Sequence, residues 1–245
     1  MLKQLRLMAI FCLAISFFTS CNKRSGKPKV LVFSKTSGYR HGSIPAGKQA
    51  IIKLGLENGF DVDTTENATY FTEDSLNKYS AVIFLSTTGD VLNNYQEADF
   101  ERYIQAGGGY LGVHAATDCE YDWGWYGRMA GGYFLSHPEQ QEATLQVVDQ
   151  THNSTKHLPK EWKRKDEWYN FKDLNPDLTV LIKIDETTYK GGENGANHPM
   201  AWYHNFDGGR AFYTELGHRD DVWTNPVYQK HLLGGIEWAM GKPKA

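Results

Sequence analysis

The sequence is poor in the features that fix a protein's class at a glance. It has three cysteines among 245 residues. They stand at positions 12, 21 and 119, too few and too scattered for a disulfide framework. It has no basic excess either. Its 26 Lys and Arg against 29 Asp and Glu give a net charge of −3, without the positive face that nucleic acid requires. No apolar run approaches the roughly 20 residues that span a bilayer. There is no HExxH, no paired Cys/His ligand spacing, no internal repeat and no low-complexity tract. Gly107 to Gly109 precede a strand pattern instead of opening a helix, which excludes a phosphate-cradling glycine loop.

What is present begins with Lys3 and Arg6, the apolar run Leu7 to Phe18, and then Thr19-Ser20-Cys21. A short basic region, a hydrophobic core and small residues before a cut site make a secretory signal over residues 1–20. With Cys21 and the polar tether that runs on to residue 28, the segment resembles a bacterial lipoprotein signal, departing from it at Phe18, where Leu is usual. The resemblance implies lipidation at Cys21, a membrane anchor, and a periplasmic or outer-membrane location. Plain secretion is the alternative. Loss of Lys3 and Arg6 with the signal takes the net charge from −3 to −5.

Residues 29–241 read as one domain. Near-continuous apolar runs at 29–34, 80–85 and 110–113 predict strands buried on both faces. Between them the spacing predicts a short strand at 60–64, a helical turn at 70–78 and helices at 44–58 and 94–106, the first with Pro45 at its start. This βαβ order implies a doubly wound, mostly parallel sheet with helices on both faces. The second half predicts a helix at 123–134, alternating strands at 142–149 and 178–184, a hairpin at 200–216 and a closing helix at 228–240. Antiparallel strands therefore join the sheet. Residues 156–172, charged and aromatic, carry no clear element.

In such a sheet, residues just past the strands' carboxyl ends face the ligand crevice. His41, His114 and His218 each stand at such a place and are expected to converge. Three imidazoles suit a divalent metal such as zinc, and they suit general acid–base work equally. His137, Asp118 and Glu167 are the next candidates for the same space; without a metal, His114 acts as base and Glu167 as acid. The plainer alternatives are pairing of His41 and Arg40 with acidic neighbours, and capping by His137 before Pro138. His152, His157, His198, His204 and His231 read as structural or surface residues.

Tyr39, Trp123, Trp125, Tyr126, Trp168, Tyr169 and Trp202 fall in segments expected around the same edge. Aromatic faces suit sugar rings, which offer C–H patches and hydroxyls together, although several of these residues are expected simply to pack the layers. The candidate substrate-binding set is Tyr39, Arg40, Trp125, His137, Tyr169 and Trp202. Asp118, Glu120, Asp122, Glu167 and Asn170 are candidate partners for hydroxyls.

Several motifs in order resemble the ThuA (trehalose-utilisation) family over about residues 29–241. They are Phe33, Thr36 and Gly38-Tyr39-Arg40-His41; Gly107-Gly108-Gly109, Gly112, His114-Ala115-Ala116 and Asp118; and Phe134 with His137-Pro138. Asp166-Glu167, Tyr169-Asn170-Phe171, Pro199 to Trp202, Gly209-Arg210, Phe212 to Thr214 and Leu216-Gly217-His218 complete the set. The resemblance implies a flavodoxin-like α/β fold akin to class I glutamine amidotransferases. There the position of His114 holds the nucleophilic cysteine of a strand-to-helix elbow, and glycine follows where Ala116 stands. Cys119 does not fill the elbow, so glutamine hydrolysis is excluded. His218 resembles the triad histidine, and Asp220 falls where the acid sits. The family implies an enzyme that hydrolyses or isomerises a disaccharide or keto-sugar derivative, with His114, His218, Glu167 and Asp118 as catalytic candidates. A non-catalytic sugar-binding lipoprotein is the alternative, and a structural module of a surface complex a third reading.

Overall fold

The computed structural model describes residues 26–241. The expected signal, Cys21 and the tether as far as residue 25 lie outside the described residues. The first half alternates strand and helix: β1 (Lys29–Phe33), α1 (Ile44–Asn58), β2 (Asp61–Thr65), α2 (Glu73–Leu76), β3 (Ala81–Leu85), α3 (Asn94–Gln105) and β4 (Gly109–Val113). The second half runs α4 (Gly124–Ala130), β5 (Tyr133–Ser136), β6 (Gln141–Val147), β7 (Glu161–Asp166), β8 (Asn170–Lys172) and β9 (Thr179–Ile184). It closes with β10 (Pro199–Phe206), β11 (Gly209–Thr214), α5 (Asp220–Thr224) and α6 (Pro226–Ala239).

Nine strands form one sheet in the order β2-β1-β3-β4-β11-β10-β9-β6-β7. From β2 to β11 every neighbouring pair is parallel, and from β11 to β7 every pair is antiparallel. β5 and β8 make a separate antiparallel pair. The apolar runs are fully buried in β3 and β4 because helices cover both faces. On one face α1, α5 and α6 contact one another. On the other, Phe84, Phe100, Tyr110 and Tyr126 form an aromatic layer between the sheet and α3 and α4. Among the described residues no helix is long and apolar enough to cross a membrane.

The departures from expectation have local causes. The helix expected over 123–134 stops at Ala130, because Gly131 takes a left-handed cap (φ 99°) and β5 follows. The unassigned stretch 156–172 supplies β7 and β8. In β7 the exposed Glu161, Lys163 and Lys165 obscure the strand pattern, and such charges suit its place at the sheet edge. The turn of the hairpin narrows to Asp207-Gly208.

His231 on α6 is fully buried; its Nδ1 donates to the Ser154 carbonyl (3.0 Å) and its Nε2 accepts from the Thr214 hydroxyl (3.1 Å). Burial lowers its pKa from 6.5 to about 3. The unfolded chain takes up that proton near pH 6.5 and the native state does not. Stability is therefore complete above pH 6.5 and declines as pH falls towards 3, by about 2 kcal/mol between pH 7 and 5 from this residue alone. Urea unfolding at both pH values should give a fall smaller by about that amount in His231→Gln. An unchanged fall in the variant would assign the acid sensitivity elsewhere.

Candidate functional site

Three strand ends deliver the histidines. His41 lies in the loop between β1 and α1, His114 is the first residue after β4, and His218 follows β11. The segment after β7 brings Glu167. One ligand-capable atom from each of these four residues lies within 4.8 Å of all the others. His114 Nε2 stands 3.2 Å from His218 Nδ1 and 3.4 Å from Glu167 Oε2. His218 Nδ1 closes the triangle at 3.1 Å from the same carboxylate oxygen. The His41 ring meets those of His114 and His218 edge-on, with centroids 4.7 and 5.2 Å away. Its Nδ1 is buried without a hydrogen-bond partner.

The backbone aims these groups. His114 adopts a left-handed conformation (φ 51°), uncommon for a side-chain-bearing residue, so the chain turns sharply off β4. The turn leads into one 3₁₀ turn, His114–Thr117, where the family kinship implied a helix. The Tyr213 hydroxyl donates to the His114 carbonyl at 2.7 Å and holds the turn. His114 Nδ1 donates to the Glu215 carbonyl at 2.9 Å, which fixes the tautomer and presents Nε2 to the cluster. At Gly217, φ 135° lets the chain reverse between Glu215 and His218, and its N–H donates to Asp166.

Carboxyl groups are buried around this imidazole. Glu215 and Asp166 are fully buried and Glu167 nearly so. Glu215 Oε1 accepts from the Tyr169 N–H and lies 3.7 Å from His114 Nδ1, while its Oε2 has no hydrogen-bond partner. Burial alone would lower the His114 pKa, but hydrogen bonding and charge from Glu167 and Glu215 outweigh it and raise the value to about 10. Burial opposes ionisation of Glu167 too, yet His114 and His218 hold its carboxyl well below the usual range. Burial pushes Glu215 up to about 8 and raises Asp166. For His41, burial and then the neighbouring His114 and His218 lower the pKa to about 3, leaving a neutral imidazole.

The other expected residues separate into two groups. Tyr169 packs its ring on His114 at 4.4 Å, and His137 stacks on Tyr169 with Nδ1 3.5 Å from Glu167 Oε1. His137 Nδ1 also lies 3.0 Å from the Pro138 carbonyl, the capping contact. Asp118 sits on the rim, accepting from the Tyr121 hydroxyl, with its pKa raised by burial. Tyr39 is 67% exposed and stands edge-on to His41 at 4.9 Å.

The second group does not join the site. Trp202 is 1% exposed, stacked on Tyr213 and donating to the Ala130 carbonyl, so it is core. Trp125 donates to Asp207 in the β10–β11 turn, which places it at the opposite, amino edge of β11. Arg40 is committed to Glu66 through both terminal guanidinium nitrogens (2.8 and 3.1 Å). Trp123, Tyr126 and Trp168 are buried. Glu120 accepts from the backbone N–H groups of Val91 and Leu92, and Asn170 bonds Ser136 and Gly191. Asp220 is exposed at the start of α5, and the carboxylate beside His218 is Glu167 instead. Cys119 is a buried thiol away from the elbow position.

Sequence reasoning missed Glu215, Asp166 and Gln140. Glu215 carried a signal, an acid directly after a strand with the apolar centre Ala211 to Tyr213. Gln140, which meets the outer nitrogen of His218 at 2.8 Å, carried none.

With these features in place, comparison with known proteins is decisive. The family model described as ThuA, trehalose utilisation, matches residues 29–239. The chain belongs to the ThuA family. Among solved structures, a ThuA-like protein of Bacteroides uniformis is 22% identical, with a TM-score of 0.74 over 90% of this chain and 94% of that one. A ThuA-like protein of Parabacteroides merdae is 23% identical, with a TM-score of 0.72 over 90% and 93%. A β-galactosidase of Bacillus circulans sp. alkalophilus shares the fold more loosely, at 13% identity and a TM-score of 0.56, over 87% of this chain and 30% of that one. No protein of curated function matches the chain. These likenesses establish the ThuA-like, flavodoxin-like α/β architecture.

The two aromatic environments predict opposite responses. Trp202→Ala should cost about 3–5 kcal/mol in denaturant unfolding, as truncation of a core aromatic does. Tyr39→Ala should stay within about 0.5 kcal/mol of the parent. Comparable losses in the two variants would contradict the placement of one ring in the core and the other in solvent.

Proposed function

We propose that this ThuA-family protein is a carbohydrate-processing enzyme that hydrolyses or isomerises a disaccharide or keto-sugar derivative at a divalent-metal centre of His41, His114, Glu167 and His218. One observation carries the reading. The sides of the triangle made by His114 Nε2, His218 Nδ1 and Glu167 Oε2 measure 3.1, 3.2 and 3.4 Å. Ligands on a tetrahedral zinc with bonds of 2.0–2.1 Å are separated by roughly 3.3 Å. The donor set agrees, being imidazole and carboxylate with the neutral, unpartnered His41 alongside.

A divalent cation such as zinc supplies Lewis-acid polarisation of a substrate oxygen when bound. The residues do the rest. His114, at a pKa of about 10, holds its proton at neutral pH, which argues against a role as general base in the metal-free site. It serves as a ligand once that proton is displaced, with Glu215 fixing its ring. Glu167 divides its work: Oε2 faces His114 and His218, while Oε1 faces His137 at 3.5 Å. His137 is half-exposed at the mouth and meets a substrate oxygen from the solvent side, while Glu167, held ionised by His114 and His218, is unsuited to the role of acid. Tyr169 walls the cluster from the core side. Gln140 sets the tautomer of His218: an amide N–H aimed at Nε2 leaves the proton on Nδ1, and a turned amide accepts from Nε2 and frees Nδ1. Export as a lipoprotein anchored through Cys21 would bring the domain to saccharides in the periplasm or at the outer membrane.

Titration of purified protein with zinc should show tight 1:1 uptake, weakened more than about 100-fold in Glu167→Ala. Turnover of trehalose or its keto derivative should vanish in His114→Ala. Equal turnover in parent and His114→Ala would remove the centre from the chemistry, and sugar binding without turnover would favour a binding protein. Cys21→Ser should shift the protein from the membrane to the soluble fraction, and an unchanged distribution would refute the anchor.

A further inference from the structure

We infer that the cleft between Gly42, Gln140, His218 and the Arg219–Asp221 segment binds the second ring of a disaccharide whose first ring lies at the histidine cluster. The inference rests on the saccharide reading above. The cleft has a volume of about 430 Å³, within the range of small-molecule sites. It shares a wall with the cluster. The inner nitrogen of His218 faces Glu167 and the outer one meets Gln140, so one imidazole separates the two spaces. The linkage between the two rings then lies beside His218.

The chemistry of the cleft fits hydroxyl groups. Arg219 is held by Asp221 through contacts of 2.9 and 3.4 Å and reaches Gln140 Oε1 at 3.5 Å. Planar donors and acceptors are thus fixed side by side along one wall. Sugar hydroxyls both donate and accept, and a vicinal pair meets such an array without leaving a group unpaired. The carboxylates of Asp220 and Asp221 disfavour a phosphorylated or acidic sugar at the same place. Gly42 leaves the other wall bare, since a Cβ there would meet nothing within 4 Å. A ring has room against that backbone.

The open space at Gly42 provides the test. Gly42 lines the cleft and a Cβ added there meets no protein atom within 4 Å, so Gly42→Leu adds bulk at the cleft wall. Zinc-loaded parent and variant are titrated with trehalose and with glucose, and zinc affinity is measured alongside. Trehalose affinity should fall about tenfold or more in Gly42→Leu while glucose and zinc affinities hold. Arg219→Ala, acting from the opposite wall, should lower trehalose affinity in the same sense, and it decides the matter if Gly42→Leu does not fold. Trehalose affinity that is unchanged, or that falls only in step with glucose, overturns the second-ring site. A zinc-loaded parent that binds neither sugar overturns the saccharide reading itself, and this site with it.

Discussion

The site depends on carboxylates held out of water beside a single imidazole. Glu167 faces one nitrogen of His114, Glu215 lies near the other, and Asp166 sits behind with its oxygens on the backbone N–H groups of Glu167 and Gly217. Removing such charge from water costs several kcal/mol per ion unless partners replace the lost hydration. Here the partners come from four separate stretches of chain, and their convergence ties the ends of β4, β7 and β11 together. The compensation is incomplete, because one oxygen of Glu215 has no hydrogen-bond partner. A pocket that gathers an ionised Glu167, two further buried carboxyls and a neutral imidazole is one that positive charge stabilises, as a proton or as a metal ion.

The strand that makes this possible is β11. It pairs in parallel with β4 and antiparallel with β10, so it is the seam between the two halves of the sheet. Glu215 and His218 follow it immediately. A parallel edge aligns strand ends on one side, which brings His41 and His114 within range of that seam. The antiparallel half then folds back and delivers Glu167 from its outermost strand, β7.

Much of this was legible in the sequence, for identifiable reasons. Runs such as KVLVF and AVIFL are read correctly because burial on both faces leaves no other pattern. Convergence of the three histidines follows from strand direction alone. The aromatics were harder. Trp202 and Trp125 belong to the same composition as Tyr39, yet β10, buried without a break from Pro199 to Trp202, takes the first into the core and the course of α4 carries the second to the far edge. Residue type says how much area a ring covers and not which layer it enters. Gln140 is invisible for another reason, since an exposed amide acquires its role only from a residue 78 positions away.

The division of the site along the chain has a consequence for how the molecule comes to life. Through the turn after β4, the amino-terminal half carries two of the imidazoles, and every acid of the cluster arrives later, at positions 166, 167 and 215. Pairings this distant in sequence form slowly. A nascent chain is therefore chemically silent until its penultimate segment docks, and the centre comes into being in the same event that joins the two halves of the sheet.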